Sequence, residues 1–306
     1  MYKVAVLMST YNGAKYLREQ IDSIFSQDSV EVALYVRDDK SSDHTIEIIR
    51  EYQENNTNIQ LRVGENVGVG NSFMQLVCDV PNTYDYYAFA DQDDVWLPQK
   101  LKKAIETIED VTEPALYCSN QILVDCNLNR FGLRYDSIPD ISYRQIMCQN
   151  KISGCTMLWN RKLQEVLSDK KRRPSEDLLN RRIHDVWVAM VASVVGSINY
   201  DKEGHILYRQ HEANVVGVRN TNIVKLWSEK LKNPAKRNGR SLLCKEVYEK
   251  YYDLIGSDYI KNELNVFGNY TENKSYKKLL LKDNDLISHS EESLLGFKVK
   301  VLLDLF

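Results

Sequence analysis

The stretch Tyr86-Tyr87-Ala88-Phe89-Ala90-Asp91-Gln92-Asp93-Asp94-Val95-Trp96 decides how this chain is read. An apolar, aromatic run with the look of a buried strand stops abruptly in three carboxylates within four positions. Like charges that close repel unless a cation lies between them. Hard divalent cations such as Mg²⁺ are held by one or two such carboxylates together with the phosphates of a substrate. The stretch therefore reads as a platform for a metal and a diphosphate. The competing reading is an Asp-rich turn, since Asp is common in turns.

The chain before this stretch repeats its pattern. Val4 to Met8 is an apolar run that stops at Ser9-Thr10-Tyr11-Asn12-Gly13, after which Ala14, Leu17, Ile21, Ile24 and Phe25 recur at helical spacing. Val32 to Val36 stops at Asp38-Asp39-Lys40-Ser41-Ser42-Asp43, followed by a helix through Ile46 and Ile49 with Ser42 or Asp43 as its N-cap. Ile59 to Val63 leads into Gly64-Glu65-Asn66-Val67-Gly68-Val69-Gly70 and a helix over Phe73 to Val77. After the acidic stretch, Pro98 opens a helix through Leu101, Ile105 and Ile108. Strands alternating with helices imply βαβ units and a largely parallel sheet, in which ligands bind outside the carboxyl ends of the strands. Thr10-Tyr11-Asn12, Asp38-Asp39, Asn66 and Asp91-Gln92-Asp93 all lie at such ends. Four polar clusters on one edge favour a site over a set of turns.

The second half is less regular. Ala115 to Asp125 and Ile152 to Trp159 read as strands, the latter with Gly154-Cys155 in its middle, where Gly marks close approach by another group. Arg161 to Leu167 is helical, and Lys170 to Arg173 is a basic turn before Pro174. His184-Asp185-Val186-Trp187 opens an apolar helix in which Asp185 has a plain alternative as a cap. Ile198 to Tyr200 and Ile206 to Tyr208 are short strands, the second running into Arg209-Gln210-His211. From about residue 221 the composition shifts to a basic, helical region, which sets a domain of residues 1–220 against an extension of residues 221–306. The last stretch, Leu294 to Phe306, sets Leu, Val and Phe against Lys298 and Lys300. It fits a helix lying on an anionic membrane surface, one packed on its own domain, or one packed on a partner subunit in a homodimer.

Bulk properties narrow the class. The 306 residues, 43% hydrophobic and 27% charged, can build a sizeable core in a globular protein. A net charge of −3 supplies no basic footprint for nucleic acid. No apolar run approaches the roughly 18 residues of a membrane span, and the N-terminal run lacks the charged start and cleavage site of a signal peptide. Cys78, Cys118, Cys126, Cys148, Cys155 and Cys244 show no CxxC pair, so reduced thiols in a cytoplasmic protein are expected.

Met8-Ser9-Thr10-Tyr11-Asn12-Gly13, Arg37-Asp38-Asp39-Lys40-Ser41-Ser42-Asp43-His44-Thr45 and Phe89-Ala90-Asp91-Gln92-Asp93-Asp94-Val95-Trp96 resemble family 2 inverting glycosyltransferases of the GT-A fold. Within that family, Asp-Gln-Asp-Asp-Val-Trp, Ser153-Gly154-Cys155-Thr156, His184-Asp185-x-Trp187 and Leu207-Tyr208-Arg209-Gln210-His211 resemble bacterial rhamnosyltransferase-like members. The resemblance covers about residues 1–215. Lys40 departs from it, standing where the family usually has Gly or Asn. The Gln/Arg-x-x-Arg-Trp motif of processive members is absent, which argues against a polymerising synthase.

The resemblance implies an α/β GT-A fold, a mixed and mostly parallel sheet flanked by helices, with a C-terminal helical extension. It implies transfer of a sugar from a dTDP or UDP donor to a glycan or lipid-linked glycan acceptor in cell-surface polysaccharide synthesis, with rhamnose as the first donor sugar to consider and glucosyl, galactosyl or N-acetylhexosaminyl donors as alternatives. Such a protein would be cytoplasmic, peripheral at the inner face of the membrane. Thr10, Tyr11 and Asn12, Asp39 with Asp38 as fallback, and Asn66 would hold the nucleotide, Tyr11 by stacking and a carboxylate by accepting the base N3–H. Asp93 would bind Mg²⁺ or Mn²⁺, with Asp91 beside it on the ribose or the metal's water shell, and Asp94 structural. The metal would offset charge on the leaving diphosphate. Asp185 would deprotonate the acceptor hydroxyl. Gly154, Trp187 and Arg209 would contact diphosphate or acceptor, and His211 a phosphate or the metal. Three rivals remain at this level: a phosphatase with Asp91 as nucleophile, although that chemistry normally sits at the first strand of its domain; a nucleotidyltransferase, although its Gly-rich basic loop is missing; and a silent nucleotide-sugar-binding protein.

Overall fold

The computed structural model describes residues 1–181, 183–210 and 237–306. Its strands are β1 Tyr2–Thr10, β2 Val30–Asp38, β3 Ile59–Val63, β4 Tyr86–Ala90, β5 Val95–Trp96, β6 Ala115–Val124, β7 Arg130–Leu133, β8 Leu158–Asn160 and β9 Ser197–Arg209. They form one mixed sheet in the order β3-β2-β1-β4-β8-β6-β9-β5, with β7 paired to β6. The first four strands run parallel, whereas β8 lies antiparallel to both β4 and β6.

The central strands are buried on both faces, so they read as continuous apolar runs rather than alternating ones. Val4, Val6 and Met8 of β1 join one core with Ile21 and Ile24 of α1 (Leu17–Phe25), Ile49 of α2 (Thr45–Asn55) and Leu101 of α4 (Lys100–Ile108). On the opposite face Phe89 meets Phe73 of α3 (Val69–Asp79) edge-on at 5.0 Å and Trp159 at 4.6 Å between ring centroids. The parallel register pairs Thr10 with Asp38 and Met8 with Ala90. The polar clusters after β1, β2 and β4 consequently open on one edge.

Contacts divide the described residues into two units. The first holds Met1–Pro139, Ile152–Arg173 and 196–210, which includes the whole sheet and α6 (Arg161–Leu167). The second holds Asp140–Lys151, Pro174–Val195 and 237–306. The expected boundary at residue 220 lies outside the described residues, and the described part of the second unit takes in two earlier segments. The reason is packing. In the second unit, α5 (Tyr143–Cys148), α7 (Glu176–Arg181) and α8 (His184–Val195) share a core with α9 (Gly239–Tyr251), α10 (Asp258–Gly268), α11 (Lys274–Leu280), α12 (Asn284–His289) and α13 (Leu294–Leu302). Trp187 packs on Tyr251 at 5.8 Å, Ser175 N donates to Glu246 Oε2 at 2.8 Å, and Arg144 pairs with Glu263. Helix α13 buries Phe297, 4.8 Å from Phe306 between ring centroids, and Val301 in this unit, and leaves Leu294, Leu295 and Leu302 exposed.

Three local expectations are corrected. Residues 152–159 are not one strand: Gly154–Thr156 is a 3₁₀ turn and β8 begins at Leu158. Residues 198–208 are a single strand, with register shifts opposite Ser119 to Ile122 that absorb the polar Asp201-Lys202-Glu203 segment. Helix α2 has His44 at its N-cap without a side-chain bond, while Asp43 Oδ1 accepts from Thr45 N at 3.0 Å.

Gly196 shows how tightly β9 enters the sheet. A Cβ there would lie 2.0 Å from the carbonyl oxygen of Pro114, which also accepts from Ser197 N at 3.0 Å. Gly196→Ala must displace backbone, and overpacking of this kind costs about 1–3 kcal/mol. The melting temperature should fall by several degrees, whereas Gly132→Ala, where a Cβ meets nothing within 4 Å, should leave it nearly unchanged.

Candidate active site

Buried carboxylates shape the edge formed by β1, β2 and β4. Asp38 is fully buried and accepts from Thr10 Oγ1 at 2.8 Å, Ser41 N at 2.8 Å and Ser41 Oγ at 2.6 Å. Thr10 and Asp38 thereby lock the two strand ends together. Asp39 forms an ion pair with Arg37, and its Oδ2 accepts from Val67 N at 3.2 Å and Gly68 N at 2.9 Å. Asn66 Oδ1 accepts from Gly68 N at 3.1 Å. Asp39 and Asn66 thus hold the loop before α3. Burial pushes the Arg37 guanidinium below its ordinary value.

Two residues at this edge, one after β1 and one after β2, have left-handed backbone. Lys40 sits at φ 66° and Asn12 at φ 49°. That region suits Gly and Asn, which explains physically why Lys40 is the odd residue in its motif. Asn12 Oδ1 accepts from Ser42 N at 2.8 Å, tying the β1 and β2 loops. Tyr11 is 50% exposed, so its ring is open to a planar ligand.

Gln92, which the sequence presents as a spacer between two aspartates, has a specific task. Its Oε1 accepts from Tyr11 N at 2.9 Å and its Nε2 donates to Tyr11 O at 3.1 Å. The amide brackets the Tyr11 backbone, and Gly13 is required beneath it: a Cβ there would fall 2.1 Å from Gln92 Oε1. Gln20, buried on the inner face of α1, donates to Asp91 O at 2.7 Å. A polar residue at the spacing of Leu17, Ile21 and Ile24 was the available signal for it.

The acidic turn is anchored from behind by Arg209. The guanidinium is 1% exposed; Nε donates to Asp93 O at 2.9 Å, Nη1 to Cys126 O at 2.8 Å and Nη2 to Glu19 Oε2 at 2.7 Å. Its carbon centre lies 4.2 Å from the Tyr16 ring centroid, and its backbone N donates to Asp94 Oδ1 at 3.1 Å. Arg209 is a structural clamp, not a reaching ligand. Trp187 is likewise core, 1% exposed against Tyr251. His211 lies outside the described residues.

Carboxylate and thiol atoms of Asp91, Asp94 and Cys155 lie within 4.8 Å of one another. Asp93, expected as the direct metal ligand, is not in that cluster. Asp94 is fully buried, and its Oδ2 makes no hydrogen bond. Burial, then Asp93 and Asp91, hold its carboxyl well above the usual range. Burial, then Asp94 and Asp91, do the same for the Cys155 thiol. An acidic edge with an orphaned carboxylate oxygen has the donor chemistry a divalent cation needs. Gly154 opens the 3₁₀ turn that carries Cys155.

Asp185 stands in the first turn of α8, in the second unit, with its Oδ1 accepting from Val186 N at 2.6 Å. It is 9% exposed. Its neighbour His184 is fully buried, and burial lowers its imidazole to about 3, so the ring is neutral near pH 7.

Glycosyl transferase family 2 matches residues 5–164 of this chain, and that segment contains the ends of β1, β2, β3 and β4. The chain is also 31% identical over 220 residues to the dTDP-rhamnosyl transferase RfbG of Shigella flexneri, covering 69% of this chain and 73% of that protein. It belongs to glycosyl transferase family 2. It is 28% identical over 244 residues to the uncharacterized glycosyltransferase RP339 of Rickettsia prowazekii (strain Madrid E), covering 76% of this chain and 73% of that protein. Among solved structures, residues 1–349 of S. aureus TarS align at a TM-score of 0.59 with 17% identity, covering 98% of this chain and 80% of that one. The fold is therefore GT-A, and the chain is a glycosyltransferase.

Lys100 adds a titratable feature to this family member. Its ammonium is buried without a hydrogen bond, 3.8 Å from the Trp96 ring centroid, and burial lowers it to about 8 despite Cys155 and Asp94, which raise it. Its ordinary value is 10.5, so the unfolded chain holds more protons between pH 8 and 10.5, and stability rises with pH across that window. The full effect is about 3 kcal/mol. Thermal melts of the parent and Lys100→Met at pH 7 and pH 10 should show this rise in the parent alone, with the variant the more stable at pH 7. An equal pH response in both would exclude Lys100 as the group responsible.

Proposed function

We propose that this glycosyltransferase moves a sugar, with inversion, from a dTDP or UDP donor to a hydroxyl of a glycan or lipid-linked glycan acceptor in cell-surface polysaccharide synthesis. Rhamnose from dTDP-rhamnose is the donor we favour. The observation that carries the reading is the strand-end edge itself, where a half-exposed Tyr11 stands beside an acidic turn inside the matched family segment. The 31% identity to a dTDP-rhamnosyl transferase supports the donor sugar. We place the enzyme in the cytoplasm, peripheral at the inner face of the membrane; among the described residues no helix is long and apolar enough to cross a bilayer.

In this reading Tyr11 stacks on a pyrimidine, whose N3–H is directed to Asp39. Asn12 and Asn66 shape the rim of that pocket through the loops they tie. Asp91 and Asp93, the two partly exposed carboxylates of the turn, hold Mg²⁺ or Mn²⁺, with Asp94 behind them. The cation supplies charge compensation for the diphosphate leaving group. Asp185 takes the proton of the acceptor hydroxyl as that oxygen attacks the anomeric carbon. A neutral His184 beside it adds no positive charge that would depress its basicity.

Incubation with dTDP-rhamnose, UDP-glucose, UDP-galactose and UDP-N-acetylglucosamine in the presence of Mn²⁺, with release of nucleoside diphosphate as readout, tests the donor. Turnover should be greatest with dTDP-rhamnose; exclusive use of a UDP sugar would replace it. Asp185→Asn should lower kcat by at least about a thousandfold, within the range for a lost general base, while nucleoside-diphosphate affinity stays within twofold. Asp93→Ala should weaken Mn²⁺-dependent binding of the nucleoside diphosphate by at least about tenfold. If Asp94→Asn alone did so, the cation would lie on the Asp91–Asp94 pair.

A further inference from the structure

The acidic edge poses an electrostatic problem. Asp91, Asp93 and Asp94 repel any phosphate that approaches, so a fixed cation beside them has a clear use. Arg37 and Arg209 are committed to carboxylates, Asp39 and Glu19 respectively. Lys100 is sealed in the core. Arg134 differs from all three.

Arg134 follows β7, and its backbone N donates to Gln121 O at 3.0 Å, extending the β6–β7 hairpin. The next residue is fixed as well, with Asn120 Nδ2 donating to Tyr135 O at 2.7 Å and Tyr135 N to Asn120 Oδ1 at 3.2 Å. Arg134 is half-buried. Its hydrogen bonds go to neutral acceptors: Nε to Tyr135 Oη at 3.3 Å and Nη1 to Gln121 Oε1 at 3.1 Å. Among the described residues no carboxylate pairs with it. Gln121 then connects it to the site. The same Oε1 accepts from Ser153 Oγ at 3.3 Å, and Nε2 donates to Cys155 Sγ at 3.1 Å. Arg134 is therefore one amide away from the cluster of Cys155, Asp91 and Asp94. A partly desolvated cation costs free energy until an anion meets it, and a guanidinium fork matches a phosphate.

We propose that Arg134 is a phosphate-binding residue of this site, completing its ion pairing with an oxyanion of the bound substrates. The idea rests on the glycosyltransferase reading for where that phosphate comes from: the diphosphate of the donor or a phosphate of the acceptor. The geometry is preorganised, because the hairpin, Tyr135 and Gln121 hold the guanidinium before any ligand arrives. Lysine keeps the charge but loses the planar fork, so Arg134→Lys should be only a partial substitute.

Isothermal titration on the full chain separates the sources. With dTDP and with UDP, each in Mn²⁺, Arg134→Met should raise the Kd by at least tenfold and Arg134→Lys by less, while binding of thymidine or uridine stays unchanged; this outcome assigns the donor diphosphate. If nucleoside-diphosphate binding is unaltered but inorganic phosphate or diphosphate binds the nucleotide-saturated parent and not Arg134→Met, the phosphate is the acceptor's. Variants that match the parent in both titrations, with unchanged melting temperatures, overturn the proposal, as does a parent that binds no phosphate anion. Should Arg134→Met not fold, Arg134→Lys carries the same comparison. A parent that binds diphosphate through Arg134 yet transfers no sugar would sink the functional reading and leave this one standing.

Discussion

The shape of the acidic turn depends on one buried cation. Arg209 reaches three carbonyl or carboxylate oxygens and an aromatic face from the end of β9, and its backbone N–H meets Asp94. Three aspartates in four positions repel one another, and a loop of that composition would open without an opposing charge. The guanidinium supplies that charge from the inside, where water does not screen it. It also joins distant parts of the chain: α1 through Glu19, the end of β6 through Cys126, and the turn itself. The long β9 strand delivers it to the turn, since its last residues pair on one side with β5, which directly follows the turn, and on the other with β6.

A second level of order comes from neutral amides and buried acids. Gln92 grips the Tyr11 backbone, Gln20 grips the Asp91 carbonyl, and Asp38 grips Thr10 and Ser41. Apart from the local bond between Asp38 and Ser41, these contacts join segments far apart in sequence, and all but the exposed Gln92–Tyr11 bracket are buried or half-buried. Such contacts contribute little net stability, yet leaving any one partner unsatisfied costs about 1–3 kcal/mol. They specify one arrangement of the loops and penalise the others.

Much of the fold was legible because its signals are local. Apolar runs of strand length ending in Tyr11-Asn12, Asp38-Asp39 and Asp91-Gln92-Asp93 announce parallel strands with a common ligand edge, and the anomaly at Lys40 turned out to mark a left-handed residue. What escaped was non-local. Gln92 looks like a spacer because its partner is Tyr11, 81 residues earlier, and only the β1–β4 register brings them together. Arg209 looks like a ligand because a charged residue follows an apolar strand; no periodicity reveals that the strand carries its side chain beneath the turn. Trp187 has the same ambiguity, which its packing on Tyr251 resolves. The grouping of α5 and α8 with the C-terminal helices depends on contacts such as Ser175 with Glu246, and apolar helices do not advertise their partners.

The carboxylates of this edge sort by exposure into two kinds. Asp38, Asp39 and Asp94 are buried, and the oxygens of the first two are occupied by amides, hydroxyls or a guanidinium. Asp91 and Asp93 remain in partial contact with solvent. A buried acid with hydrogen bonds to both oxygens, as Asp38 has, cannot exchange partners without exposing an unpaired charge to a medium of low polarity, so its role is fixed when the chain folds. Asp39 keeps one oxygen without a hydrogen bond. A partly exposed acid can trade water for a cation or a ribose hydroxyl at little cost. The sequence spaces these residues almost identically, yet the fold gives adjacent aspartates opposite surroundings. Asp94 points inward toward Cys155 and the backbone of Arg209, whereas its neighbour Asp93 keeps partial contact with solvent while Arg209 Nε holds its carbonyl. That inward turn of one side chain separates the aspartate enclosed by the fold from the two that keep contact with solvent.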